Sequence, residues 1–370
     1  MREEGVPMSE SGDHAVNAPG VSAAPGRRRR VGVIGTFVWD VIPGHSPAGA
    51  AVEGWGGIAY ALAALDAALI SGWEIVPLIK VGEDLAVEAR SFLGELRHLA
   101  PDAELVETPG VNNRSELRYL TPERREERLS GHTPGWSWEE LGPRIATAGL
   151  DALYVNFLSG WELDLPTAVE LRRAVSCPIY VDLHMLVWQP MGAGVRTVTP
   201  LPSAGEWYRC FDLLQVNEEE LVALASDPAA LAMDTHRAGV SCSIVTRGSA
   251  GVHAFAAPGF DRLQRSANAG DEGRASTAPS VLAVSSIPAP EAVTPDPTGC
   301  GDVWGATFFG RLLMGDRLVD ALRAASAAAA SNVAYRGASV LGAHLRGASV
   351  PRPAETGVRS GSGGGASRSG

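Results

Sequence analysis

The stretch VTPDPTGCGDVWGATFFGR, residues 293–311, joins a turn of small residues to an apolar helix and decides how the chain is read. Gly299, Cys300 and Gly301 lie where that helix should begin. A helix start offers backbone N–H groups without intrahelical acceptors and the positive end of the helix dipole, and so it holds anions. Asp302 in such a place would repel a phosphate, unless its task is to take the proton from a hydroxyl about to attack one. On that logic the amides of Gly299, Cys300, Gly301 and Asp302 form an anion nest, and small side chains let a phosphoryl group approach the main chain. A base positioned in this way contributes on the order of 10²–10⁴ in rate. A bare GxGD is more often a turn with an N-cap, so the chemistry needs support from elsewhere in the chain.

Two further segments supply it. QVNEEEL (215–221) sets Asn217 and Glu220 three residues apart at a strand-to-helix junction, where their oxygens can hold the water shell of a Mg²⁺ ion on nucleotide phosphates. VTRGSAG (245–251) runs a strand into a T-x-G-x-x-G turn built on Thr246, Gly248 and Gly251. Taken singly, the first is a capped helix start and the second a strand-end turn; their order before DPTGCGD is what makes them informative.

Working outward, apolar β-branched runs alternate with helical ones. RVGVIGTFVWDVI (30–42) predicts a strand ending at Asp40, and GGIAYALAALDAALI (56–70) a helix opened by Gly56 and Gly57. Strands follow in EIVPLIKVG, ALYVNFL, PIYVDLHML, LLQVN, SCSIVTRG and GVHAFAA, with helices in LAVEARSFLGELRHL, LPTAVELRRAV, EEELVALAS and LVDALRAASAAAASNVAYRGA. Such alternation predicts an α/β fold, a parallel sheet with helices on both faces and ligands at the carboxyl ends of the strands. The polar stretch 111–131, with strand character at 115–120, predicts a lid. Residues 1–30 and 346–370 read as disordered tails, Arg27 to Arg30 as a solvated charge cluster, and 261–290 as a loop insertion around a short strand near 281–284.

Composition narrows the function. A net charge of −11 argues against nucleic acid or an anionic membrane as partner, and no apolar run has the length of a membrane span. Cys177, Cys210, Cys242 and Cys300 form no CxxC pair, so neither a zinc site nor a disulfide framework is signalled. No segment of signal-peptide type opens the chain, and a cytoplasmic protein is expected. Lys80 is the single lysine and has no GxxxxGK[ST] around it, which excludes a P-loop NTPase. GCGDVWG imitates a dinucleotide turn, but Asp302 would face the pyrophosphate and no strand-ending acid follows at the required distance. GHSPAG (44–49) lacks the closing glycine of a nucleophile elbow. His132 and His184 have no partner at metal spacing and read as structural or loop residues.

Asp296 to Asp302, DPTGCGD, resembles the D-[TP]-T-G-A-G-D signature of the ribokinase-like (PfkB) sugar and nucleoside kinase family, with Cys300 at the alanine position. The Gly56–Gly57 pair, VGED (81–84), Asn217 with Glu220, and Thr246-x-Gly248-x-x-Gly251 are similar too, so the resemblance covers roughly 31–345. It implies a Rossmann-like αβα sandwich with a small β lid, built from about 36–50 and 111–131. It implies an ATP-dependent kinase acting on a hydroxyl of a sugar or sugar-like molecule. Asp302 is then the base and Gly299, Cys300 and Gly301 the anion hole. Thr246, Gly248 and Gly251 line the nucleotide site, Asn217 and Glu220 position Mg²⁺, Asp296 and Thr298 adjoin a monovalent cation such as K⁺, and Asp40, Gly56 and Gly57 contact the acceptor. One departure matters: Ala61 stands where many members carry the asparagine of GGxxxN, a hydroxyl-reading amide. With Trp55 and Tyr60 nearby, a nucleoside acceptor stays open, as does a non-catalytic sugar or nucleotide sensor. The lid arginines 114, 118, 124, 125 and 128 are interleaved with glutamates and read as a salt-bridged surface. The lid strand leaves a homodimer open.

Overall fold

RRVGVIGT, strand β1 (Arg29–Thr36), is buried from its third residue onward, and β4 (Trp73–Gly82) is buried at all ten positions. Strands that apolar belong in the middle of a sheet covered on both faces. The computed structural model describes residues 27–42, 52–119, 125–190, 196–263, 283–290, 297–335 and 337–348. Among these, β5 (Val106–Thr108), β8 (Ala152–Asn156), β9 (Ile179–Asp182), β12 (Leu213–Asn217) and β13 (Cys242–Thr246) join β1 and β4 in parallel. Strands β14 (Val252–Ala256) and β15 (Ala283–Ile287) continue the sheet antiparallel, giving the order β15-β14-β13-β12-β9-β8-β1-β4-β5.

The period of two sorts the strand side chains onto two cores. Tyr154 and Tyr180 face the layer of α1 (Ile58–Ala68), α2 (Ala86–Leu93), α8 (Cys300–Leu313), α9 (Leu318–Val333) and α10 (Leu341–Leu345). Leu153, Val155, Ile179 and Val181 face α3 (Trp138–Ala148), α4 (Leu165–Ala174), α5 (Ala204–Tyr208) and α7 (Pro228–Arg237). Helix α1 is buried almost all round, and its one acid, Asp66, accepts from the His98 N–H at 2.8 Å and from Arg346 Nη1 at 2.7 Å. The solitary Lys80 is likewise structural: its Nζ donates to Gly135 O at 2.8 Å and to Glu140 at 2.9 Å, over the ring of Trp136.

A second sheet, β3-β2-β6-β7, is the lid; its strands are β2 (Val38–Ile42), β3 (Val52–Trp55), β6 (Asn113–Tyr119) and β7 (Arg125–Ser130). Here the structure corrects the sequence. Residues 30–42 are not one strand: pairing with β4 stops at Thr36, Phe37 turns fully into the core, and Asp40 belongs to the lid. The Asn112 side chain fixes that break by donating to Phe37 O at 3.0 Å. The helix expected over 218–226 shrinks to α6 (Glu218–Leu221), because Asp227 caps α7 through the N–H groups of Ala229 and Ala230, with Pro228 at its first position. The hairpin β10 (Trp188–Pro190) with β11 (Arg196–Val198) was also absent from the sequence reading. Arg27 and Arg30 are not merely solvated: Arg27 pairs with Asp151, and Arg30 with Glu74 and Asp102. The expected tails lie mostly outside the described residues, as do 264–282 of the loop insertion.

Candidate active site

Each parallel strand at the centre of the sheet ends in a polar residue. Asn156 closes β8, Asp182 β9, Asn217 β12 and Thr246 β13, with Asn156 in register with Asp182 and Asn217 with Thr246. Helix α8 begins against this row. Its N-cap, Gly299, has φ 73°, and a Cβ there would run into the ring of Tyr60, so both the backbone conformation and the space require glycine. Asp302 lies in the first turn, where Asn156 Nδ2 donates to its Oδ1 at 2.7 Å. Asn156 is fully buried, and the bond orients the carboxylate. The Cys300 N–H donates to Pro297 O at 3.1 Å and its thiol packs toward Ala329 and Asn332 of α9. At Gly301 the N–H donates to no group among the described residues, and a Cβ would meet nothing nearer than Gln215 Nε2 at 4.0 Å, which leaves room for a ligand.

Behind α8 lies a buried polar network that sequence reasoning missed. Tyr180 donates to Gln215 Oε1, and Gln215 Nε2 donates to Asp182 Oδ2 at 2.8 Å and to Gly301 O at 3.2 Å. His184, read from the sequence as structural or loop, belongs here: its Nδ1 bonds Glu220 Oε1 at 2.7 Å, and its φ of 27° is rare for a residue with a Cβ. Burial pushes the Asp182 carboxyl toward protonation and neighbouring Glu220 adds to the shift, while His184 opposes it. Burial works against the imidazolium of His184, but the Glu220 bond and the charges of Glu220, Asp182 and Asp302 outweigh it and raise its pKa to about 9. The available signal in sequence was a polar residue closing each apolar strand, followed after Asp182 by His184.

A group whose pKa rises from 6.5 unfolded to about 9 folded contributes stability that is complete below 6.5 and lost as pH climbs through 9. His184→Gln keeps a polar side chain without the charge. We expect the stability gap between wild type and His184→Gln, read from urea midpoints, to shrink steadily over that window. A gap that stays constant would contradict the charged imidazole.

The acceptor residues named from the sequence come together. Asp40 lies directly against Gly56, where a Cβ would overlap its carboxylate, and Gly57, with φ 43°, leaves room for Leu158 two residues past Asn156. Trp55 and Tyr60 are buried, and Trp55 packs against Phe37 and Trp39, so these rings belong to the core and lend nothing to an aromatic acceptor. Thr246 donates to Val216 O at 3.4 Å, while Gly248 (φ 50°) and Gly251 (φ 90°) form the tight β13–β14 turn; at Gly251 a Cβ would fall 2.8 Å from Ala289 N.

Asn217 and Glu220 form a reciprocal capping box at α6. Glu220 Oε1 accepts from Asn217 Nδ2 at 2.6 Å and from His184, and Oε2 accepts from the Asn217 N–H at 2.9 Å. A carboxylate so occupied suits the water shell of a Mg²⁺ ion, the role expected of it, better than direct ligation, and no cluster of three or more His, Cys, Asp or Glu able to hold a metal exists among the described residues. Thr298 is buried, its carbonyl accepting from Asn332 at 3.0 Å; Asp296, its companion in the expected cation site, lies outside the described residues.

Helix α8 thus starts with a carboxylate and an open glycine amide at the ends of the parallel strands. Residues 195–343 match the family model described as pfkB family carbohydrate kinase. The matched stretch is 149 of the 370 residues and contains the DPTGCGD loop. Its fold is ribokinase-like. A pyrophosphate-dependent kinase of the ribokinase family, solved with sulfate, superposes with TM-score 0.64 at 18% identity, covering 83% of this chain and 96% of that one. Thermotoga maritima ribokinase gives 0.58 at 16% identity over 85% and 95% of the two chains. Burkholderia thailandensis nucleoside kinase, solved with inosine, gives 0.59 at 16% over 88% and 100%. No curated protein matches. No helix among the described residues is long and apolar enough to cross a membrane.

Proposed function

We propose that this kinase, working as a unit over residues 31–345, transfers the γ-phosphoryl group of ATP to a hydroxyl of a sugar or sugar-like acceptor. The acceptor oxygen attacks phosphorus, its proton passes to the Asp302 carboxylate, and the bridging oxygen leaves with the electron pair of the broken P–O bond. The observation that carries this reading is the Asn156–Asp302 bond of 2.7 Å beside the open Gly301 amide: an oriented base next to a donor for the transferred group. Asp40, Gly56 and Gly57 hold the acceptor under the lid, and the Thr246-to-Gly251 turn borders the donor. The donor enters as substrate, with whatever Mg²⁺ it carries. No step is assigned to a metal held by Asn217 and Glu220, whose bonds are already made within the protein.

A second donor belongs in the same assay, because the superposable structures include pyrophosphate-dependent kinases. Purified protein incubated with a panel of sugars, polyols and nucleosides should yield a phosphorylated acceptor and ADP from ATP. Product only with pyrophosphate would replace ATP as donor and keep the rest of the proposal. Product from nucleosides alone would move the acceptor class, and binding with no transfer from either donor would favour a sensor.

A further inference from the structure

Arg196, the first residue of β11, is 6% exposed, yet its Nε and Nη1 have no hydrogen-bond partner among the described residues. Three of the five N–H donors of its guanidinium therefore go unused in the interior. Its one bond among the described residues runs from Nη2 to Ser159 O at 2.6 Å, and its guanidinium stands over the ring of Trp161, 5.5 Å from the centroid. No carboxylate among the described residues pairs with it. Glu127 of β7 and then Glu162 are near enough to be felt electrostatically, but neither bonds the guanidinium, and the Glu162 oxygens are taken by the N–H groups of Leu158, Ser159 and Gly160 and by the Ser159 hydroxyl. A buried charge with idle donors is expensive unless something completes it.

The position of Arg196 says what that is. Ser159 is three residues beyond Asn156, so its carbonyl lies within roughly 11 Å of the residue that orients Asp302. Leu158, between them, packs on Gly57 of the acceptor pair. The facing loop after β9 is as close: a Cβ at Gly160 would stand 2.5 Å from Met185 O and 3.7 Å from Arg196 Nη1. On the other side β11 packs on lid strand β7, and the His132 ring adjoins Trp161 at 6.0 Å. The cation thus sits between the acceptor loop and the lid, on the acceptor side of the base.

We propose that Arg196 binds an anionic group on the acceptor, a carboxylate or a phosphate, so that the favoured substrates are sugar acids or sugar phosphates rather than neutral sugars. This rests on the kinase reading above for its link to turnover, though not for binding. A planar guanidinium with several idle N–H donors suits a carboxylate or phosphate oxygen pair better than a hydroxyl. It also supplies a contact that Ala61, lacking the amide of GGxxxN, cannot make.

The test combines binding and kinetics. Thermal shifts would be measured with gluconate, glucose 6-phosphate, glucose and myo-inositol on wild type, Asp302→Asn, Arg196→Met and Arg196→Lys. We expect an anionic compound to stabilise wild type and Asp302→Asn, with gluconate against glucose 6-phosphate telling carboxylate from phosphate. Arg196→Met should lose that shift and raise KM for the anionic acceptor by about 10–100-fold, with neutral acceptors changed less than about twofold. Should Arg196→Met fail to fold, Arg196→Lys, which keeps the charge without the planar fork, must still raise KM for the anion. The proposal is overturned if anions bind Arg196→Met as they bind wild type, or if neutral acceptors alone bind and turn over. Anion binding that depends on Arg196 without phosphoryl transfer would leave this inference standing and sink the kinase reading instead.

Discussion

Asp302→Asn should lower kcat by on the order of 10²–10⁴ with both substrates saturating, while the thermal midpoint stays within a few degrees of wild type. The side chains are isosteric, and the new amide oxygen can still accept from Asn156 Nδ2, now 2.7 Å from Oδ1. What disappears is the capacity to take a proton. Asp302 stands at the positive end of α8, so removing its charge also gives up a favourable dipole contact of about 0.3–1 kcal/mol. That loss is small beside the expected loss of rate, and the two readouts separate base from scaffold. A kcat within a few-fold of wild type would mean that another group takes the proton.

Gly299→Ala should be the most destabilising single methyl that can be added to the signature loop. Its φ of 73° lies in the left-handed region, which costs a residue with a Cβ about 1–2 kcal/mol, and the methyl would drive into the buried Tyr60 ring, a further 1–3 kcal/mol of overpacking. Together these give roughly 2–5 kcal/mol, visible as a lowered urea midpoint. Gly301→Ala, two residues on, is the contrasting variant. It meets only Gln215 Nε2, at an ordinary contact distance of 4.0 Å, so stability should hold to within about 0.5 kcal/mol, while the methyl occupies the space over the open amide and lowers kcat/KM. Equal midpoints for Gly299→Ala and wild type, or an unimpaired Gly301→Ala, would remove the loop from the site.

The parallel sheet was legible because strands buried on both faces must be continuously apolar, as β4 and β8 are. The helix start at Gly299 was legible because only glycine tolerates that turn. Three things were not. The break at Phe37 hides inside an unbroken β-branched run, since the residue that leaves one sheet for the other is itself apolar and buried. The three-residue strands β10 and β11 carry no period, so nothing singled out Arg196. The Asn156–Asp302 bond joins residues 146 apart, and only the strand order brings them together. His184 was set aside for want of a metal-like spacing, when its partner is the carboxylate of the Asn217–Glu220 box across the neighbouring strand end. At Cys300 the motif gave no hint that the amide donates to Pro297 O and the thiol to Ala329 O.

The most direct measurement of the central claim is product formation by wild type and Asp302→Asn side by side, with Mg·ATP and a mixed panel of sugars, sugar acids and nucleosides, each reaction resolved by mass spectrometry. The account predicts a phosphorylated acceptor and an equal amount of ADP from wild type, both falling by at least about 10²-fold in the variant. The same product forming at the same rate in both proteins would contradict it.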